Sequence, residues 1–202
     1  MARLGLPVDF DLPDSDAALA ASELCAEVSP RFLRNHAMRT YGWACLLAVI
    51  DDVEFDRELL CVASLLHDVG LTDRFRGPRC FEVESAAAAV EFAHARGWGR
   101  ARCAELRHVI RLHMQPLVTP KEGAEAYLLS EAAACDVTGT RYEDLPRKPR
   151  DRILSLASRE GFKQGFTQLF LEEAQRKPGC MADVYMRQGL VERIGTAPFP
   201  DW

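Results

Sequence analysis

Apolar residues recur along this chain three and four positions apart, and runs that alternate with a period of two are scarce. The pattern predicts an all-α fold cut into segments by proline and glycine. A first helix is expected over about 15–28, stopped by Ser29 and Pro30, and a second over about 31–50. The third, about 56–69, is apolar on nearly every side after Glu58 (LLCVASLL), which predicts a helix buried in the core. Gly70 is placed to end it in a left-handed turn. A loop over 71–80 precedes an alanine-rich helix over about 81–96, closed by Gly97, and further helices are expected over about 99–114 and 121–137. The stretch YEDLPRKPRD, with two prolines and dense charge, reads as a solvated connection to helices over about 151–159 and 161–177. The tail is expected to be partly helical, and the sequence does not choose whether its exposed aromatic end, Phe199 to Trp202, packs on the same subunit or on a neighbour.

Nothing divides these segments into repeats, and 202 residues with 48% hydrophobic content suit one domain spanning the chain. The net charge of -5 comes from interleaved acids and bases, with no basic stripe to neutralise phosphates, so nucleic acid is not an expected partner. No window approaches the roughly 18 apolar residues of a membrane span. The start, MARLGLPVDFDLPD, is too acidic for a secretory signal, and a cytoplasmic location is expected. The seven cysteines lie singly, without a C-x-x-C pair, and read as reduced, buried thiols.

The candidate chemistry begins at His67 and Asp68, which close the buried third helix in the string SLLHDVGL. A carboxylate there faces the negative end of the helix dipole among leucines that exclude water, so a positive partner is expected nearby. One divalent cation would satisfy both side chains, although a plain His–Asp hydrogen-bonded pair also fits these two residues alone. His36 shares its helix face with Phe32, Leu33 and Trp43, the usual setting of a core histidine. Asp136 continues the stripe Leu129, Ala132, Ala133, which buries an aspartate that must then be paired or bound to metal. A single cation would account for polar groups that three helices bring to apolar faces.

The order of these residues carries a resemblance. NHAMRTY around His36 resembles the N-H-S-x-R-x-Y helix of the HD superfamily, and SLLHDVG resembles its L-L-H-D-I-G segment. ACDVTGTRYEDLP places Asp136 where that family has its last ligand. CFEVESAAAA and SREGFKQGFTQLFLEEAQRKP resemble one branch, the cyanamide hydratase-like HD proteins, so that the likeness covers about 31–178. It implies an HD-domain helical bundle and a metal-dependent hydrolytic centre, with His36, His67, Asp68 and Asp136 as ligands of one divalent metal ion. Zinc is the first candidate, with iron and manganese also compatible with two histidines and two carboxylates. Four protein ligands leave room for water only if coordination expands or a carboxylate shifts. Water so bound would be activated for attack on carbon or phosphorus.

For proton transfer the best candidate is His113, on the inward face of its helix with Leu106, Val109 and Ile110, with Asp68 beside the metal and Glu82 as a further catalytic candidate. Glu82 is equally a first-turn acid favoured by the helix dipole. Arg39 and Thr140 are candidates to line the substrate cavity, though Arg39 also suits an ion pair with Asp136. His94 and His108 are expected to face solvent or packing. The resemblance implies hydration or hydrolysis of a small molecule, with a nitrile-type, cyanamide-like compound as substrate. The alternative is phosphohydrolase action on a nucleotide or other phosphomonoester, for which Arg74, Arg76 and Arg79 would supply charge. A two-iron oxygenase would need further histidines near Phe81 and Glu82, and a metal-binding module without turnover is the fourth reading. A homodimer is expected from the resemblance alone.

Overall fold

The computed structural model describes residues 10–200, so the reading of the first nine residues and of Trp202 falls outside it. Among the described residues there are ten α-helices and no strand. They are α1 (Asp16–Val28), α2 (Arg31–Asp51), α3 (Arg57–Leu66), α4 (Phe81–Ala95), α5 (Arg100–Leu112), α6 (Ala124–Thr138), α7 (Arg147–Leu156), α8 (Phe162–Arg176), α9 (Met181–Arg187) and α10 (Leu190–Thr196). The fold is an all-α bundle.

Local chemistry sets the ends of these helices. Ser15 caps α1 by accepting the Ala18 N–H, and Asp56 caps α3 by accepting that of Leu59 at 2.9 Å. Arg102 of α5 grips Asp56 at 2.6 Å, tying the start of α3 to its neighbour. Helix α2 forms the axis, buried on almost every side and packed on α6, α3, α8 and α7. Helices α4 and α5 pair on one flank, and α8 to α10 close another. The apolar residues form two clusters, one around Trp43, Leu47, Leu60 and Leu129, the other around Leu33, Phe81, Phe162, Phe166, Phe170 and Leu190. The candidate site lies where they meet.

Two expectations are corrected and one open choice is decided. Gly70 does not adopt a left-handed turn; it sits in a 3-10 turn, Val69–Leu71, where a Cβ would stand 2.2 Å from the Phe81 carbonyl oxygen. Its role is close approach to the first turn of α4, and its N–H donates to Ser85 Oγ at 2.8 Å. Helix α7 starts at Arg147 inside the supposed connection, because Pro149 falls in its first turn, where the missing N–H costs nothing. It therefore ends at Leu156, and residues 157–159 form a loop that reaches the site. Of the two places left open for the aromatic tail, Phe199 takes the one within the chain: it is buried, its ring stacks on Trp43 at 5.6 Å and it meets Tyr142 edge-on at 5.0 Å.

Candidate metal centre

His67 and His113 occupy equivalent places, each as the C-cap of a helix, α3 and α5. Each ring turns back on its own helix. His67 Nδ1 lies 2.7 Å from the Ser64 carbonyl oxygen, and His113 Nδ1 lies 2.5 Å from that of Ile110. A carbonyl oxygen only accepts, so the proton sits on Nδ1 in both rings and the lone pair on Nε2. One otherwise unpaired carbonyl at each helix end is satisfied by the same bond.

His36 reaches the same point from the middle of α2. Its Nδ1 donates to Asp136 Oδ2 at 2.7 Å, while its Nε2 lies 3.2 Å from His67 Nε2 and 3.4 Å from Asp68 Oδ2. Asp68 Oδ2 is 3.3 Å from His67 Nε2 and has no hydrogen-bond partner. His36, His67 and Asp68 are all buried, and their ligating atoms lie within 4.8 Å of one another. With neither a proton nor a cation between them, two imidazole lone pairs and a carboxylate oxygen facing each other would be a costly arrangement, about 1–3 kcal/mol for each unsatisfied group. A cation at their centre fits: tetrahedral ligands on bonds of roughly 2.0–2.1 Å stand about 3.3–3.4 Å apart. These donors suit zinc, iron or manganese equally well.

Electrostatics agree with that fit. Burial works to raise the pKa of Asp68, but His67, His113 and His36 outweigh it and hold the carboxyl well below the ordinary range. Burial likewise lowers His67, which favours its neutral, ligating form. For His36, burial would lower the pKa, but the Asp136 and Asp68 carboxylates outweigh it and raise it, so a proton competes with a cation for Nε2.

His113 adjoins this group without joining it. Its buried Nε2 has no hydrogen-bond partner and lies 3.6 Å from Asp68 Oδ1, whereas His36 and His67 approach Oδ2. Asp136 also stands outside the group. Its oxygens are occupied by Arg39 Nε and Nη2 at 2.8 Å each, Trp43 Nε1 at 2.8 Å and His36, with Arg159 Nη1 at 3.0 Å. The sequence did not point to Arg159, which lies in the loop after α7. The signal for Trp43 was there: His36, Arg39 and Trp43 share one face of α2 at helical spacing.

The profile of the HD domain family matches residues 33–160. The chain belongs to the HD domain family. As an HD domain protein it falls in a family whose members are in general metal-dependent hydrolases, and the His36, His67 and Asp68 cluster is where its metal would be held. No curated protein matches the chain significantly.

A cavity of about 280 Å³ opens beside this HD centre. His36, His67, Asp68 and His113 form its floor, Met114, Val137, Phe166, Phe170 and Leu190 its apolar walls, and Tyr185 and Arg193 come from the last two helices. Thr140 lines it as well. Arg39 does not, since it is wholly buried against Asp136 and the carbonyls of Ala157 and Ser158. Glu82 is buried at the start of α4, away from the cavity wall, and its Oε2 has no hydrogen-bond partner. Phe81, in the region where a two-iron centre would need a histidine, meets His113 edge-on at 5.7 Å. His94 is exposed, and His108 bonds the Glu122 carbonyl at 2.9 Å on the surface. No disulfide links the seven cysteines, and burial pushes the thiols of Cys25 and Cys61 up to about 11 and about 12. Thiols held so far above neutrality are poor nucleophiles. Among the described residues no helix is long and apolar enough to cross a membrane.

Proposed function

We propose that this HD domain protein hydrates or hydrolyses a small organic molecule at an electrophilic carbon of nitrile type. The observation that carries the reading is the convergence of His36 Nε2, His67 Nε2 and Asp68 Oδ2 on one point at the floor of a mostly apolar cavity. A divalent cation held there, zinc in the first instance, supplies Lewis acidity and an activated water near neutral pH. The chain's own groups do the rest. His113 lines the cavity and bears its lone pair on Nε2, so it takes up a proton there and returns it to the product nitrogen. Phe166 and Phe170 exclude bulk water from the reacting end. Thr140 offers a hydroxyl to orient a polar group, Tyr185, whose O–H is donated to the Met114 carbonyl at 3.0 Å, offers an acceptor oxygen, and the apolar walls hold a carbon body larger than cyanamide itself.

The fate of the arginines supports this reading over phosphate chemistry. Arg74 is paired with Glu27 at 2.7 Å, Arg79 with Glu84 at 2.7 Å, and Arg76 bonds the Leu71 carbonyl; none lines the cavity. Arg39 and Arg159 are spent on Asp136. Arg193 alone favours the second reading, phosphohydrolase action, because it lines the cavity and would meet a phosphate at its mouth. Assays of cyanamide and of aliphatic and aromatic nitriles for urea, amide or ammonia, beside phosphate release from nucleotides, separate the two. Turnover of a C≡N compound that is lost in His67→Ala is expected. Phosphate release with no turnover of any C≡N compound would refute the first reading, and an Arg193→Ala variant with raised KM for the phosphoester would establish the second.

A further inference from the structure

Asp136 occupies the place where the sequence pattern puts a fourth metal ligand, yet the structure gives it another task. We propose that Asp136 is a positioning residue for His36, and that the cation is held by three protein groups alone; this rests on the metal reading above. Three observations carry it. The Asp136 carboxylate lies on Nδ1 of His36, at 2.7 Å, whereas the ring atom facing His67 and Asp68 is Nε2. The two nitrogens point to opposite sides of an imidazole, so a carboxylate bonded to one does not reach a cation bound to the other.

The second observation is saturation. A carboxylate offers about four lone-pair sites. Those of Asp136 already meet two N–H groups of Arg39, one of Trp43 and one of His36, with Arg159 against Oδ1 at 3.0 Å. Two guanidinium groups also more than offset its single charge. Asp68 is the opposite case, with a buried Oδ2 that no donor meets.

The third is the rigidity of the surroundings. Arg39 Nη1 is anchored on the Ser158 carbonyl at 2.7 Å and Arg159 Nη1 on the Asp136 carbonyl at 2.7 Å, while Asn35 Nδ2 holds the Ser158 carbonyl at 3.0 Å. Moving Asp136 onto a cation would break this lattice of buried charge. Left in place, it fixes the His36 tautomer and raises its basicity, as partners behind metal-bound histidines do. With three protein donors instead of four, a tetrahedral cation retains a position for water or substrate.

Cobalt(II) titration of metal-free protein tests this, with visible absorption as the readout, on the unmodified chain, Asp68→Asn and Asp136→Asn. Asp68→Asn is expected to change the band positions and intensities. Asp136→Asn is expected to weaken the Kd by roughly 10–100-fold while leaving the bands unaltered. Asp136→Asn bands that change as those of Asp68→Asn do would overturn the proposal. Should Asp136→Asn fail to fold, nitrogen-15 spectra of the zinc-loaded unmodified protein decide: His36 must be metal-bound through Nε2, with a protonated, hydrogen-bonded Nδ1. A deprotonated or metal-bound Nδ1 overturns the assignment. An unmodified chain that takes up no metal overturns the metal reading along with the proposal, and is told apart because it appears without any substitution.

Discussion

Adding zinc or cobalt(II) to chelator-stripped protein should raise its thermal stability, and more at pH 8 than at pH 6. The three donors already stand 3.2, 3.3 and 3.4 Å apart, so binding needs little rearrangement. A ligand that binds only the folded state stabilises it by about 2.7 kcal/mol at a hundred times its Kd and about 4.1 at a thousand times. At about 2–4 °C per kcal/mol for a chain of this size, the shift is about 5–11 °C in the first case and about 8–16 °C in the second. The pH dependence follows from His36, whose pKa in the folded chain is raised above the ordinary 6.5: burial opposes the shift, but the Asp136 and Asp68 carboxylates prevail. In metal-free protein the protonated ring contributes stability that is complete below about 6.5 and is lost as pH rises through the raised folded value. The cation must displace that proton, so its increment grows as the proton leaves. Scanning calorimetry at the two pH values, with and without metal, reads the effect. No shift at either pH, a larger shift at pH 6, or an undiminished shift in His67→Ala would refute the reasoning.

Asp51 of α2 lies between two nitrogens of Arg141 at 2.8 Å each, and that pairing holds its carboxyl below the ordinary range. Its stabilisation is present above about pH 3.9 and lost as pH falls through the lower folded value, so Asp51→Asn should cost about 1–3 kcal/mol at pH 7 and progressively less in acid, by urea titration. Phe199→Ala should cost about 3 kcal/mol, the low end for a core phenylalanine, because the chain end can settle toward Trp43; an unchanged urea midpoint would refute its burial. Gly70→Ala should cost about 1–3 kcal/mol and weaken metal binding, since a Cβ 2.2 Å from the Phe81 carbonyl oxygen must push the turn after Asp68 off α4. Isothermal titration with zinc beside a urea titration checks both effects.

Helical periodicity made the bundle legible because burial of one face per helix is written locally, residue by residue. The departures came where a local signal has two meanings. Pro149 reads as a breaker until its position in the first turn of α7 is known, and Gly70 reads as a left-handed stop until α4 is seen against it. In the site, His67 and Asp68 stood out because a charged pair ended an apolar helix, and His36 because it shared a stripe with Trp43. The bonding of Asp136 was not legible beyond its pairing with Arg39. Its other partners are chosen by the crossing of α2 over α6 and by a loop whose place depends on where α7 stops.

The charge around the site argues for the kind of molecule that enters it. Helices α3 and α5 both end there, so the negative poles of two helix dipoles face the cavity floor, each favouring a cation by about 0.3–1 kcal/mol. Asp68 adds a full negative charge, whereas Arg39 and Arg159 together bring two positive charges to the single carboxylate of Asp136 behind His36, which leaves one in excess. The two dipole ends and the Asp68 carboxylate together attract a divalent cation to this floor. A phosphate dianion would meet the Asp68 carboxylate at this floor, with the cation and, among the lining residues, Arg193 to offset it. A neutral group whose nitrogen gains a proton during reaction meets no such penalty, and His113 is already tautomerically set to manage that proton. The proposed hydration of a neutral carbon centre therefore asks less of this floor than transfer of a charged phosphoryl group would.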